Sequence, residues 1–228
     1  MKIVSYNIND CNPRKIEYLL GMEADVLVVP EITCPEDAHL PENLDMKWYG
    51  IEYYYHGKSW KGLGVIWQKG NGFVPEWFNP ELTYGIPLIV GEYLILGFWP
   101  TKTEENESKS YPQIAQEIIM EYAPFFKGYK TVVIGDFNCY VKQFDANKKY
   151  GDMLRVNELL ESFGLQSLYH QKTGEEFGQE TAATYFHRFN ESAPFFLDYA
   201  YTNFTVASFR LFPWDKRMSD HVGMEIII

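Results

Sequence analysis

One glutamate, three aspartates, two asparagines and a histidine punctuate the apolar runs of this chain, each at the end of a run. Asn7 follows Ile3-Val4-Ser5-Tyr6, and Glu31 follows Val26-Leu27-Val28-Val29-Pro30. Asp136 and Asn138 follow Thr131-Val132-Val133-Ile134-Gly135. Asp198 opens Tyr199-Ala200-Tyr201, and Asp220-His221 opens the final run. If the runs are buried strands, their ends lie at a sheet rim where side chains can converge on a cleft. A set so rich in oxygen suits a hard cation, Mg²⁺ or Mn²⁺, rather than a zinc–thiolate centre. Taken singly, each residue has a plainer role. Asn7 could form a turn, Glu31 and Asp136 could be ordinary strand-end charges, and Asp198 or Asp220 could cap a turn. His221 alone reads as a half-buried, satisfied histidine.

The elements that must carry these side chains are legible. Apolar runs predict strands from Ile3 to Tyr6, Val26 to Val29, Gly64 to Trp67, Tyr93 to Phe98, Thr131 to Ile134, Leu197 to Tyr201 and Val222 to Ile228. Asn12 as N-cap before Pro13 predicts a helix to about Met22. Ser110 and Gln113 have capping-box spacing ahead of Ile114, Ile118 and Ile119. A third helix is expected from near Asp152 to a glycine cap at Gly164. Interleaved elements with a strand-rich second half predict an α/β fold, a four-layer sandwich of two mixed β-sheets flanked by helices. No repeat or linker divides residues 1–228, so one domain is expected.

Composition bounds the function. With 46% hydrophobic and 17% aromatic residues, the chain is too apolar for disorder. It lacks the continuous apolar run of ~18 residues expected of a membrane span. Strand-like Lys2-Ile3-Val4 at the start argues against a signal peptide, and a cytoplasmic protein is the expectation. Cys11, Cys34 and Cys139 form neither a CxxC pair nor a disulfide framework. With 20 basic and 31 acidic residues, the formal charge is −11. Proteins that grip long nucleic acid are normally basic, because phosphate contacts supply most of the affinity. Long duplex DNA should therefore bind weakly. A small phosphodiester, or one held through a metal, remains a suitable substrate, and no protein partner is evident.

Asn7-Ile8-Asn9, Pro30-Glu31, Gly135-Asp136-Phe137-Asn138, Leu197-Asp198-Tyr199 and Ser219-Asp220-His221 together resemble the ordered motifs of the endonuclease/exonuclease/phosphatase superfamily. The opening Met1 to Asn9 is similar to the exonuclease III and apurinic endonuclease branch, as are Tyr55-His56-Gly57-Lys58 and Thr184-Tyr185-Phe186. A single such motif is weak; five in order, each at a strand end, are specific. The resemblance implies a metal-dependent phosphoesterase, a nuclease or phosphodiesterase working by in-line attack of water. It implies Glu31 as metal ligand with Asn9 and Asp220 completing the shell, and Asn7 beside them at the substrate. Asp136 would deprotonate the water and Asn138 would donate to the developing charge. His221, oriented by Asp198, would meet the phosphate.

Phe98 or Trp99 stands where relatives carry a tyrosine or histidine that holds the phosphate, so Trp99 is the expected substrate contact. Phe196 stands where the apurinic branch has arginine. These departures favour the broad hydrolase class over abasic-site repair. Trp48, Tyr53, Tyr54, Tyr55 and Trp60, with Lys58 and Lys61, read first as strand residues with solvated lysines and second as a substrate lip. Ser219 reads as a turn former, and the cysteines as small buried hydrophobes. Two other functions fit the motifs: a phosphomonoesterase acting on a small phosphorylated metabolite or lipid headgroup, and a binding module that has lost its chemistry.

Overall fold

The computed structural model describes residues 1–50, 61–82, 84–103, 106–141 and 153–228. Its first half runs β1 (Lys2–Ser5), α1 (Pro13–Leu20), β2 (Val26–Ile32), α2 (Pro35–Ala38), β3 (Leu44–Gly50), β4 (Gly62–Gln68), β5 (Gly85–Val90) and β6 (Tyr93–Phe98). Then follow α3 (Tyr111–Phe126), β7 (Lys130–Asp136), α4 (Met153–Ser162), β8 (Gln166–Ser167), α5 (Leu168–Thr173) and β9 (Tyr185–Phe186). The chain ends with β10 (Pro194–Phe195), β11 (Asp198–Thr202), β12 (Ser208–Leu211) and β13 (Met224–Ile227).

One sheet has the order β12-β13-β1-β2-β4-β3, the other β5-β6-β7-β11-β8. Each is mixed, with one parallel pair, β1–β2 and β6–β7, among antiparallel neighbours. Alternation along the strands of the first sheet decides what each face covers. Ile3, Val26, Val28, Val65 and Trp67 enter the large core shared with the second sheet, α3 and α4. Val4, Leu27, Val29 and Ile66 point the other way, into a smaller core with Ile16 and Leu19 of α1. Two mixed sheets flanked by helices are thus the architecture, as the interleaved pattern predicts.

The sheets touch where side chains are absent. A β-carbon on Gly97 of β6 would lie 2.6 Å from Val65 and 3.2 Å from Val28 in the opposite sheet. Within the second sheet, Gly135 of β7 is tighter still against its neighbour β6, since a β-carbon there would sit 1.8 Å from the Phe98 carbonyl oxygen. Only glycine admits that approach, and it precedes Asp136 directly.

Helix signals hold. Asn12 Oδ1 accepts from the Lys15 backbone N–H at 3.2 Å. Ser110 and Gln113 make the reciprocal box, Gln113 N to Ser110 Oγ at 3.4 Å and Ser110 N to Gln113 Oε1 at 2.7 Å. Gly164, φ +84°, follows α4 in the left-handed conformation typical beyond a helix end. The start expected near Asp152 lies outside the described residues, as do Tyr53 to Lys58 and Trp60. No described helix is long and apolar enough to cross a membrane.

Candidate active site

The strand ends expected to converge do so. β1 and β2 run parallel, with Asn7 just past the end of β1 and Glu31 next to the end of β2; β7 finishes at Asp136, directly opposite Asp198, where antiparallel β11 begins. His221 precedes β13, which runs antiparallel to β1. Both sheets therefore contribute to one rim.

Asn7, fully buried, ties the two sheets together there. Its Nδ2 donates to Glu31 Oε1 at 3.3 Å and to Asp136 Oδ2 at 3.0 Å, while its Oδ1 accepts from Asn9 N at 2.9 Å. The backbone bond fixes which way the amide faces. The Asn9 side chain in turn hydrogen-bonds Asp220. Glu31 sits at a register shift between β2 and β4, with φ +64°. A bulge bearing a non-glycine residue at positive φ costs on the order of 1–3 kcal/mol and re-aims its side chain, a device concentrated near functional sites. Lys61, just before β4, meets Glu31 Oε2 at 2.6 Å.

His221 Nδ1 and Asp198 Oδ2 are 2.9 Å apart, and His221 Nε2 lies 3.9 Å from Asp136 Oδ2. All three side chains are buried, and one ligand atom from each lies within 4.8 Å of the others. Burial is the largest influence on His221 and pulls its pKa down, but the charges of Asp198 and Asp136 and the Asp198 hydrogen bond outweigh it, raising the group to about 10. The imidazole is therefore a cation at neutral pH. Asp136 is pushed above the usual carboxylate range, chiefly by burial and also by Asp198, against the pull of His221. Burial raises Asp220 as well. Carboxylates this crowded and desolvated are what a divalent cation would relieve, and the oxygen donors fit a hard ion.

Whole-chain comparison sets this geometry among solved structures. The 3′-5′ exonuclease NExo from Neisseria meningitidis superposes with a TM-score of 0.72 at 17% identity, covering 99% of this chain and 98% of that one. An AP endonuclease from Archaeoglobus fulgidus gives 0.71 at 14% identity, with 100% and 98% covered. An endonuclease/exonuclease/phosphatase protein from Beutenbergia cavernae gives 0.65 at 14%, with 99% and 70% covered. The chain has the fold of the endonuclease/exonuclease/phosphatase superfamily. No protein-family model and no curated protein matches its sequence, so this fold is reached through a divergent sequence.

Not every expected residue faces the rim of this superfamily fold. Trp99 is only 2% exposed and belongs to the large core, so burial places it in packing rather than against substrate. Phe98 beside it is fully buried, 4.4 Å from the Phe137 ring. Asn138, φ +51°, commits its Nδ2 to the Pro100 carbonyl at 3.1 Å, and its backbone N–H donates to Asp136 Oδ1 at 2.8 Å. Phe196 packs on Tyr169 and Tyr199.

Three residues that stand inside the quoted motifs without an assigned catalytic role support the site. Thr184 Oγ1 accepts from the backbone N–H groups of Leu197 and Asp198 at 2.8 and 2.9 Å, holding the start of β11. Tyr185 bridges to His221 through the backbone, with ring centroids 4.6 Å apart. Burial first, then Asp220, Asp136 and Glu31, push its hydroxyl up to about 12, so it stays protonated. Ser219, read as a turn former, donates Oγ–H to the Asn7 carbonyl at 2.6 Å and accepts from His221 N at 3.0 Å. A cleft of about 540 Å³ near Leu168, Phe204 and Phe209 lies at the opposite end of β11 and carries none of these groups.

Proposed function

We propose that this protein is a divalent-metal-dependent phosphoesterase that cleaves phosphodiesters by in-line attack of water. The observation that carries the reading is the buried Asp136–Asp198–His221 group facing Asn7 and Glu31 across one rim. Support comes from two solved proteins of the same fold: NExo, described as a 3′-5′ exonuclease and, bound to product DNA hairpin, as a 3′ phosphatase, and an AP endonuclease. Glu31 would hold the Mg²⁺ or Mn²⁺, with Asn9 and Asp220 next to it. When bound, such an ion would polarise a phosphoryl oxygen and offset the charge that builds up during attack.

The remaining chemistry belongs to side chains. Asp136 takes the proton of the attacking water, its raised pKa making it a stronger base than an ordinary carboxylate. As the new P–O bond forms, the bond to the leaving oxygen breaks. His221, cationic and oriented by Asp198, faces the phosphoryl oxygens, and its charge is worth more in a buried site than in water. Asn7 holds Glu31 and Asp136 at a set spacing, and Tyr185 offers a neutral O–H at the rim.

The test is turnover of bis-p-nitrophenyl phosphate and of p-nitrophenyl phosphate with Mg²⁺ or Mn²⁺, beside Asp136→Asn. Metal-dependent diester cleavage lost in the variant is the expected result. A strong preference for the monoester would shift the reading to a phosphomonoesterase. Undiminished turnover in excess chelator would end it.

A further inference from the structure

Lys15 lies in the first turn of α1, outside every motif of the rim, yet its ammonium makes three hydrogen bonds beside it. Its Nζ donates to the carbonyl oxygens of Ile8, Asn9 and Asp10, the latter two at 2.8 Å each. Carbonyls of successive residues rarely converge on one point, because extended backbone turns them to alternate sides and right-handed helical backbone sets them nearly parallel. Here Asn9 (φ +42°) and Asp10 (φ +70°) are both left-handed, and the chain curls so that all three oxygens meet one donor. Lysine suits this: three N–H donors on a single nitrogen can serve three acceptors, which a planar guanidinium cannot do from one point.

The clamped segment is the one that orients Asn7. Asn9 N–H donates to Asn7 Oδ1, and that bond turns Asn7 Nδ2 toward Glu31 and Asp136. Asn9 also reaches Asp220. Backbone geometry at residues 8–10 thus sets three candidate site residues at once.

We infer that Lys15 is a positioning residue: its ammonium holds the Ile8–Asp10 backbone in the left-handed curl that aims the Asn7 amide at Glu31 and Asp136. The kinetic part of this inference rests on the proposed phosphoesterase reading; the structural part does not. Burial lowers the Lys15 pKa while Asp10, Asp220 and Glu31 act to raise it, so its charge also lies within electrostatic reach of the acidic rim.

The experiment compares the parent chain with Lys15→Met, which keeps length and removes the donors, and with Lys15→Arg. Side-chain amide resonances of Asn7 and Asn9 are followed by ¹⁵N NMR, kcat and KM are measured on bis-p-nitrophenyl phosphate with Mg²⁺, and thermal unfolding checks the fold. Lys15→Met should shift both amide signals and lower kcat by about tenfold or more, the scale of a misplaced catalytic group, with KM within about twofold. Lys15→Arg should restore part of the loss. Unmoved Asn7 and Asn9 signals in a folded variant overturn the inference, as does a moved loop with unchanged kcat. If Lys15→Met loses its unfolding transition, Lys15→Gln takes its place, and the same shifts and losses decide. If the parent shows no turnover, the phosphoesterase reading fails, and the amide signals alone still decide whether Lys15 orients Asn7.

Discussion

Lys61 Nζ lies 2.6 Å from Glu31 Oε2, with the two side chains 18% and 17% exposed. The carboxylate proposed as metal ligand thus shares an oxygen with an ammonium, and a divalent cation would have to compete for it. Lys61→Met should therefore tighten Mn²⁺ binding by roughly threefold to tenfold, up to ~1.4 kcal/mol, in isothermal titration calorimetry. Weaker binding in the variant would show instead that Lys61 holds Glu31 in its bulged conformation for the metal.

Asp198 and His221 are expected to act as one unit, given a 2.9 Å contact in a buried setting. Asp198→Asn and His221→Ala should each lower turnover on the order of 10²–10⁴-fold, the scale of acid–base participation. The double variant should be little worse than the poorer single one. Turnover of one diester by all three, with circular dichroism to confirm folding, is the measurement; multiplicative losses would mean the residues work independently.

Stability of the chelated protein should decline as pH rises through the alkaline range. His221 is raised from its ordinary 6.5 to about 10, so its cation stabilises the fold fully below 6.5, and that contribution is lost as pH climbs through about 10. Asp136 is also raised, so the folded state prefers its proton and stability falls as that proton leaves, the same direction at lower pH. Thermal midpoints between pH 6.5 and 10 should drop for the parent and flatten for His221→Ala, while added Mg²⁺, which favours ionised Asp136, should oppose the acidic part of the slope. A midpoint that rises across this window would contradict the paired charge state.

Gly135→Ala should be among the most damaging single-methyl substitutions available. The added carbon would overlap the Phe98 carbonyl at 1.8 Å, backbone that no rotamer change can move aside. A loss of at least ~3 kcal/mol, the upper end for overpacking, is expected in urea unfolding. Gly91, φ +57° with open space around the same position, is the contrasting site. Equal effects at both would mean that β6 and β7 separate easily, and that the rim is less rigid than its packing implies.

Local chemistry was enough to read the strands carrying Asn7, Glu31, Asp136 and Asp198, because runs such as Val26 to Val29 are too apolar to be anything but buried. Capping at Asn12 and Ser110 was legible for the same reason: it involves residues three apart. Strand β3, whose seven residues are all half-buried, lacks a continuous apolar run and left no comparable signal; neither did β5, with Pro87 inside it. The two-residue β8, β9 and β10 are too short for any period to register.

What only tertiary structure decided is which polar atoms meet. Glu31 is aimed by a bulge whose register depends on β4, thirty residues later. Trp99 looked like a substrate contact because it stands where relatives carry a tyrosine or histidine, yet here it is buried in the large core. The role of Lys15 depends on carbonyls that every residue carries, so no residue type marks it in advance, and Thr184, though inside a quoted motif, acts on backbone N–H groups that the motif does not specify. Residue types determined that an acidic, oxygen-rich rim would form on an α/β sandwich. Its spacing, its charge state and the groups that hold it follow from long-range pairing, which a chain acquires only when its sheets pack.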